Sequence, residues 1–218
     1  MNSSKQMAEA IICQIDKSRQ AQLPYLVALD GRCASGKTTT AALIAEKYQK
    51  EGLPCDIVHM DDFFLQPNQR TSARLAEPGG NVDYERVEAE VLQPAKRGMT
   101  VSYRRFDCSR MELTEVRTFQ PQGILLVEGA YSCHPKLRDY FDLRIFVSID
   151  PEMQMQRILL RNAPKCFGTV GSRSRKTISR NVRLKRFVIF ICAQIKLGNN
   201  KGVCSVDQGS NQRISIQI

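Results

Sequence analysis

The sequence lacks the features that mark membrane, secreted or metal-binding proteins. No stretch approaches the roughly 18 consecutive apolar residues that a membrane-spanning helix needs, and the N-terminal segment 1–17 has a helical pattern without the basic start and small-residue cleavage site of a signal peptide. We therefore expect a cytoplasmic protein. The eight cysteines contain no C-x-x-C pair, and only two histidines could join them in a metal site. The cysteines are expected to be reduced and mostly buried.

Acidic residues are almost absent from one end of the chain. Residues 165–218 carry 11 lysines and arginines and a single acid, Asp207, whereas residues 1–164 carry 21 basic and 21 acidic side chains. The formal net charge of +10 therefore lies in the tail. A surface that binds phosphate backbones is expected on a folded face rather than behind a break in composition, so we expect no nucleic-acid partner. We predict one domain over residues 1–164 and an atypical basic tail over residues 165–218.

Short apolar runs alternate with segments of helical periodicity. Runs of this kind are typical of parallel strands that are buried on both faces, so we predict an α/β fold with a doubly wound parallel sheet and helices on both faces. The predicted strands are Tyr25 to Leu29, Cys55 to His59, Ile124 to Val127 and Leu143 to Ile149. The predicted helices are the segment 1–17, the segment that ends at Gly52, Val82 to Arg97, and the segment from Asp150 to about Arg161.

A phosphate-binding loop follows the first predicted strand. The segment G-R-C-A-S-G-K-T fits the pattern G-x-x-x-x-G-K-[ST] in full and precedes a predicted helix. Glycines let backbone N–H groups approach phosphate oxygens, Lys37 would reach the outer phosphates, and the hydroxyl of Thr38 would bind Mg²⁺. A glycine turn without a ligand is the alternative. The predicted nucleotide-binding residues here are Gly31, Arg32, Cys33, Ala34, Ser35, Gly36, Lys37, Thr38 and Thr39.

Carboxylates follow two of the other predicted strands, at the edge where ligands bind in such sheets. Asp61 and Asp62 follow the second strand; adjacent side chains of an extended segment point to opposite sides, so one of them should face the phosphates, and we favour Asp61. Glu128 ends the third strand, where it would hold a metal-bound water or accept a hydroxyl proton. A solvated acidic loop and a surface glutamate are the alternatives.

In combination, the motifs resemble the uridine kinase-like group of P-loop kinases, which includes nicotinamide riboside kinase, pantothenate kinase and phosphoribulokinase. The resemblance covers about Leu23 to Asn162 and rests on G-R-C-A-S-G-K-T-T, D-D-F-F, N-V-D-Y-E-R, Y-R-R-F-D-C, V-E-G-A-Y-S-C-H-P and R-I-L-L-R-N. It implies a P-loop NTPase fold. It also implies transfer of the γ-phosphoryl group of ATP, with Mg²⁺ as cofactor, to a hydroxyl of a small metabolite such as a nucleoside or riboside.

The same resemblance implies roles for individual residues. Asp61 would contact or deprotonate the acceptor hydroxyl, and Glu128 is the rival base and, with Thr38, a metal ligand. Lys37 would neutralise charge during transfer. Arg157 and Arg161 match the start of the family's mobile lid, and an ordinary amphipathic helix face is their alternative. The residues that match the acceptor-binding segments are Asp83, Tyr103, Arg105 and Phe106, but the family's aromatic and histidine pattern for uracil is not reproduced.

The tail departs from the family at about Cys166. When the last base of each codon is joined to the first two bases of the next, Lys165 to Arg180 can encode M-F-R-D-R-W-I-P-L-E-E-N-Y-F-E, and W-I-P-L-E-x-x-Y-F-E resembles the family's normal continuation. We infer a one-base frameshift near Lys165, which would replace the native lid and last strand with an out-of-frame, poorly ordered peptide. The alternative is that Phe187 to Leu197 is a genuine strand.

These patterns predict a phosphotransferase with an alcohol acceptor, whose partners are a nucleoside triphosphate and a small molecule. Neither nucleic acid nor membrane is expected as a partner, and homo-oligomer formation is left open. Two other classes stay open as well. One is a catalytically impaired, nucleotide-binding remnant of such a kinase, and the other is a nucleic-acid binder that depends on the basic tail.

Overall fold

The computed structural model describes residues 3–19, 23–162, 186–193 and 212–217. The described strands are β1 Tyr25–Gly31, β2 Cys55–His59, β3 Val101–Asp107, β4 Glu112–Phe119, β5 Ile124–Glu128, β6 Leu143–Ile149, β7 Arg186–Ala193 and β8 Gln212–Gln217. Six of them form the central sheet in the order β2-β5-β1-β6-β7-β8, and β3 pairs with β4 in a separate hairpin.

The strands β2, β5, β1 and β6 are parallel to their neighbours. Both β1 and β5 are buried along their whole length, as their uninterrupted apolar runs predict. The chain leaves β1 for β2 and β5 on one side and later returns to β6 on the other side. The carboxyl end of β1 is therefore the point where the strand order reverses, and ligands bind at such points in α/β sheets.

Helices cover both faces of the sheet. Val27 and Leu29 of β1 pack in one core cluster with the first two helices, while Leu26 and Ala28 pack in a second cluster with the helical segment before β3. The described helices are α1 Ser3–Ser18, α2 Lys37–Lys50, α3 Ser72–Ala76, α4 Tyr84–Arg86, α5 Gln93–Lys96 and α6 Pro151–Asn162, and a π-helical turn, Val87–Leu92, joins α4 to α5. None of these described helices is both long enough and apolar enough to span a membrane.

The predicted strands and helices are confirmed in position and type, with two differences. The helix predicted from Val82 begins at Tyr84, because the side chain of Asp83 accepts a hydrogen bond from the N–H of Arg86 and caps it. The β3–β4 hairpin was not predicted. Most side chains of β4 are exposed or partly exposed, so its sequence lacks the alternation of apolar and polar residues that indicates a half-buried strand.

Two strands lie in the basic tail. β7 pairs antiparallel with β6, and β8 pairs antiparallel with β7. The position of β7 agrees with the alternative of a genuine strand within Phe187 to Leu197, and not with the expectation that this part of the chain lacks a last strand. Its direction also departs from the parallel pattern of the other neighbours. The lid expected after α6 would fall in residues 163–185, outside the described residues.

The cysteines differ from the expectation of mostly buried thiols. Of the five that the structure describes, Cys55 is buried and Cys133 is partly buried, but Cys13, Cys33 and Cys108 are exposed, and none of these five forms a disulfide. The expectation is therefore wrong for this part of the chain. Burial in the β2 strand raises the pKa of Cys55 to about 12, so this thiol stays protonated at neutral pH.

Candidate functional site

The phosphate-binding loop joins β1 to α2 at the carboxyl end of the sheet. Gly36 has a φ of 95° and Ala34 has a φ of 59°, and both values lie in the left-handed region that bends the chain into a compact loop. A Cβ atom at Gly31 would lie 2.2 Å from the carbonyl oxygen of Val147 on β6. Ser35 is buried, and its Oγ has no hydrogen-bond partner in the described structure. The loop therefore packs closely against β6, and it contains the buried hydroxyl of Ser35, which has no hydrogen-bond partner among the described residues.

Lys37 lies inside this loop. Its Nζ donates hydrogen bonds to the carbonyls of Gly31 and Arg32, at 2.9 and 3.0 Å. Burial lowers the pKa of Lys37, and nearby carboxylates, of which Glu128 acts most strongly, oppose the shift. The ammonium group is thus held by two carbonyls that an anionic ligand with stronger acceptors can replace.

Asp30 connects the loop to the segment after β5. Its Oδ1 accepts hydrogen bonds from the N–H groups of Gly31 and Tyr131, at 2.6 and 3.0 Å, and its Oδ2 accepts one from the N–H of Cys133 at 3.0 Å. Burial raises the pKa of Asp30, although the three N–H donors act in the opposite direction. A buried carboxylate with three backbone donors fixes two loops relative to each other.

The helix α6 contacts the phosphate-binding loop at Cys33 and Ala34. Arg157 donates from Nη1 to the carbonyl of Ala34 at 3.1 Å, and Gln154 donates from Nε2 to the carbonyl of Cys33 at 3.1 Å. Burial lowers the pKa of Arg157. Arg157 therefore reaches the loop rather than lying only on a solvated helix face. The side chain of Arg161, near the end of the same helix, falls outside the described part of the chain.

Glu128 is buried at the end of β5, with 4% of its surface exposed, so the alternative of a surface glutamate is wrong. The hydroxyl of Thr38 donates to its Oε1 at 3.0 Å, and Nδ1 of His59 lies 2.6 Å from the same oxygen. The hydrogen bond with Glu128 raises the pKa of His59. The structure thereby brings together Thr38 near the start of α2 and Glu128 at the end of β5, as their places in the sequence predict.

The two adjacent aspartates separate as expected, but in a 3₁₀ turn, Met60–Phe63, rather than in an extended segment. Asp61 is exposed and Asp62 is buried. Asp62 accepts hydrogen bonds from the hydroxyl of Tyr103 at 3.3 Å and from Nε of Arg105 at 2.9 Å. Burial, with a further contribution from Asp62, raises the pKa of Tyr103 to about 12. Asp62 thus ties the β3–β4 hairpin to the turn that carries Asp61.

Tyr103 and Arg105 reach the same carboxylate from one strand. They are two residues apart, a spacing that places side chains on the same face of a strand. The pairing of β3 with β4 shifts register between Arg104 and Phe106, which marks a bulge at this point. The guanidinium of Arg105 also reaches Glu115 on β4, with Nη1 3.3 Å from Oε2.

The other predicted acceptor residues contact the same turn and the residue after it. The N–H of Asp83 donates to the carbonyl of Phe63 at 2.7 Å, and its buried carboxylate accepts from Nε2 of Gln69 at 3.0 Å. Phe106 is buried and packs edge-to-face on Phe64, with ring centroids 6.3 Å apart. All four predicted acceptor residues thus meet the segment after β2, which carries Asp61.

Three polar residues of this region were not selected from the sequence. Asp30 is a charged residue that directly follows the apolar run of β1, which is a visible signal, but two of its three backbone partners come from a loop about a hundred positions away. His59 ends a predicted strand, and its pairing with Glu128 depends on the register of β2 and β5. The sequence favours Asp61 over Asp62, and the partners of Asp62 lie on the unpredicted hairpin.

Curated proteins named as uridine kinases resemble this chain over most of its length. Uridine kinase-like protein 4 from Arabidopsis thaliana is 23% identical over 155 residues, which are 68% of this chain and 32% of that protein. Uridine-cytidine kinase 2-B from Danio rerio is 25% identical over 151 residues, which are 64% of this chain and 58% of that protein. The chain therefore spans about a third to three fifths of the length of these curated relatives.

The fold is shared with a solved structure of a possible uridine kinase from Bacillus stearothermophilus. The TM-score is 0.57 at 18% sequence identity, and the match covers 71% of this chain and 85% of that one. At this identity the likeness concerns the fold alone. The model of the phosphoribulokinase / uridine kinase family matches residues 26–198, which include every P-loop, strand-end and hairpin residue described above. The chain belongs to the phosphoribulokinase / uridine kinase family of P-loop kinases.

Proposed function

We propose that the chain transfers the γ-phosphoryl group of ATP to a hydroxyl of a small metabolite, and that this metabolite is a nucleoside or riboside. The observation that carries the proposal is the P-loop with buried Lys37, together with the hydrogen bond between Thr38 and Glu128 at the same sheet edge. Family membership supports the reaction class. The acceptor follows from the names of relatives that this chain covers only in part.

The residues present fit a magnesium nucleotide. Mg²⁺ takes hard oxygen ligands, and a hydroxyl and a carboxylate lie 3.0 Å apart at Thr38 and Glu128. The unpaired, buried Oγ of Ser35 fits a phosphate oxygen, which would accept its hydrogen bond. Thr38 and Glu128 would hold the ion. When bound, Mg²⁺ neutralises charge on the β- and γ-phosphates.

The remaining steps fall to side chains of this chain. Lys37 would leave its two carbonyl partners for phosphate oxygens and neutralise charge that develops during transfer. Arg157, which already contacts Ala34 of the loop, would contribute a second cation. Asp61 is exposed beside the hairpin, whereas Glu128 is occupied by Thr38 and His59. This supports Asp61 as the group that orients the acceptor hydroxyl and Glu128 as the metal-side carboxylate.

The acceptor would lie between Asp61 and the hairpin. Asp83, Tyr103, Arg105 and Phe106 all contact the turn that carries Asp61 or the residue that follows it, so they converge on one segment. Hydroxyl groups of a ribose are suitable partners for buried carboxylates and a tyrosine hydroxyl. Holding the hydroxyl close to the γ-phosphate would supply most of the rate.

The test is replacement of Lys37 by Met, Asp61 by Asn and Glu128 by Gln, one at a time, in a chain whose tail has been restored to the family's reading frame. ATP-dependent phosphorylation is measured on a panel of nucleosides and ribosides. We expect each variant to lose roughly 100-fold or more in turnover, as is usual when a group that stabilises or orients the transition state is removed. Undiminished turnover in all three would contradict the assigned roles.

We also propose that the tail results from a frameshift near Lys165. The proposal is supported by the re-reading of the codons and by the charge break. Two observations count against it: the family match continues to residue 198, and β7 is paired in the sheet. Resequencing of the gene tests it: bases after codon 165 that do not encode the family's continuation in the shifted frame would contradict it. Cytoplasmic location and the absence of nucleic-acid and membrane partners stay predictions.

A catalytically impaired remnant is the second candidate, and one observation favours it. Met155, Leu159 and Leu160 of α6 are 57, 63 and 78% exposed, although α6 contacts the P-loop and would begin the lid. Exposed apolar side chains at this point fit a chain whose covering segment has been exchanged. Such a remnant would bind ATP in a calorimeter and give no product with any acceptor, whereas the frame-restored chain would be active.

A further inference from the structure

The carboxylate of Glu128 makes its hydrogen bonds with one oxygen only. The hydroxyl of Thr38 and Nδ1 of His59 both lie within hydrogen-bond distance of Oε1, at 3.0 and 2.6 Å. No partner of Oε2 is found in the described structure, and Oε2 is not among the fully buried atoms left unpaired. One oxygen therefore makes two contacts, and the other is left for a further partner.

The position of His59 follows from strand register. His59 of β2 and Glu128 of β5 are paired residues of neighbouring parallel strands, and both end their strands at the same edge. Paired residues in this register point to the same face, so the imidazole lies beside the carboxylate. Because a carboxylate only accepts, Nδ1 must carry the proton that is shared with Oε1. The contact is direct and needs no bridging water.

We propose that His59 is a positioning residue that fixes the rotamer of Glu128, so that Oε2 faces the metal side of the phosphate cradle. The inference rests on the proposed function, in which Glu128 holds Mg²⁺. A glutamate has three side-chain torsions, and the two contacts on Oε1 determine the plane of its carboxylate. Groups that orient a metal-binding carboxylate through a hydrogen bond typically change metal affinity about 10- to 100-fold when they are removed.

The experiment measures ATP affinity by calorimetry on the full chain, once with Mg²⁺ and once with EDTA. The ratio of the two affinities is the magnesium-dependent gain. His59→Leu removes the donor, whereas in His59→Asn the amide nitrogen takes the place of Nδ1. His134→Asn is the matched control, because it removes the other histidine, which stacks on Tyr84 away from Glu128. A thermal melt by circular dichroism accompanies each variant.

We expect His59→Leu to reduce the magnesium-dependent gain about tenfold or more. His59→Asn should keep most of the gain, and His134→Asn should keep all of it. If His59→Leu does not fold, His59→Gln replaces it, because the amide nitrogen of glutamine lies near the position of Nε2 and misses Oε1. A full gain in His59→Leu, or in the His59→Gln variant that replaces it, would overturn the inference, and so would equal losses of affinity with Mg²⁺ and with EDTA.

The unsubstituted chain separates this result from the proposed function. If it shows no magnesium-dependent gain, the proposed function fails and the inference fails with it. If it shows the gain and His59→Leu keeps it in full, only the positioning role of His59 fails. Loss of the gain in both His59→Asn and His59→Leu would also overturn the inference, because it would show that a donor at the Nδ1 position is not sufficient.

Discussion

Replacement of Asp30 by Asn tests whether this carboxylate holds the P-loop to the segment after β5. The carboxylate accepts three backbone N–H groups on its two oxygens. An asparagine has one oxygen, which can keep the two bonds from Gly31 and Tyr131. Its NH₂ group then faces the N–H of Cys133, so that two donors meet where one donor and one acceptor stood.

The magnitude follows from two opposing effects. Loss of a hydrogen bond to a charged group costs about 1.5–3 kcal/mol, and the buried N–H of Cys133 is left without its acceptor. Against this, asparagine removes a buried charge, and the raised pKa of Asp30 shows that burial disfavours the charged form. We therefore expect the free energy of unfolding to fall by about 1–2 kcal/mol rather than by the full loss of the contacts.

The assay is urea unfolding followed by circular dichroism, with the slope compared between variants so that only changes in midpoint are read as stability. Asp56→Asn is the matched control. Asp56 is also a strand aspartate whose pKa is raised by burial, but no hydrogen bond to it is found in the described structure. Its replacement should be neutral or stabilising. If Asp30→Asn is no less stable than Asp56→Asn, the three backbone contacts do not hold the loop.

Three further predictions concern the loop and the hairpin. Gly31→Ala places a Cβ atom against the carbonyl of Val147 on β6 at a φ of +147° and should lower the free energy of unfolding in urea by roughly 2–5 kcal/mol. Gly52→Ala, with a φ of +76° and open space around the site, should lower it by about 1 kcal/mol. Equal losses of stability in the two variants would refute the packing argument. Asp62→Asn should lower stability by about 1 kcal/mol, since Arg105 is 45% exposed, and an unchanged melting temperature would refute the tether. Lys37→Met should weaken ATP binding about tenfold or more by calorimetry, and equal affinity would refute its phosphate role.

The difference between predictable and unpredictable elements follows from how far apart the interacting residues lie. The strands β1 and β5 contain continuous apolar runs, and β2 and β6 are short, mostly apolar segments, so their type and position could be predicted from local pattern. The hairpin could not, because the outward side chains of β4 remove the pattern, and the bulge in β3 depends on the pairing of β3 with β4.

The sequence by itself determined the P-loop, because a glycine-rich turn, a lysine and a hydroxyl must follow one another on the backbone to surround phosphates. It also indicated that Glu128 and an aspartate after β2 belong to the same edge, because parallel strands end together. Only the tertiary structure decided which aspartate is buried, that His59 and Thr38 share one oxygen of Glu128, and that Asp30 joins two loops. These contacts depend on register and packing between distant segments, which no local pattern records.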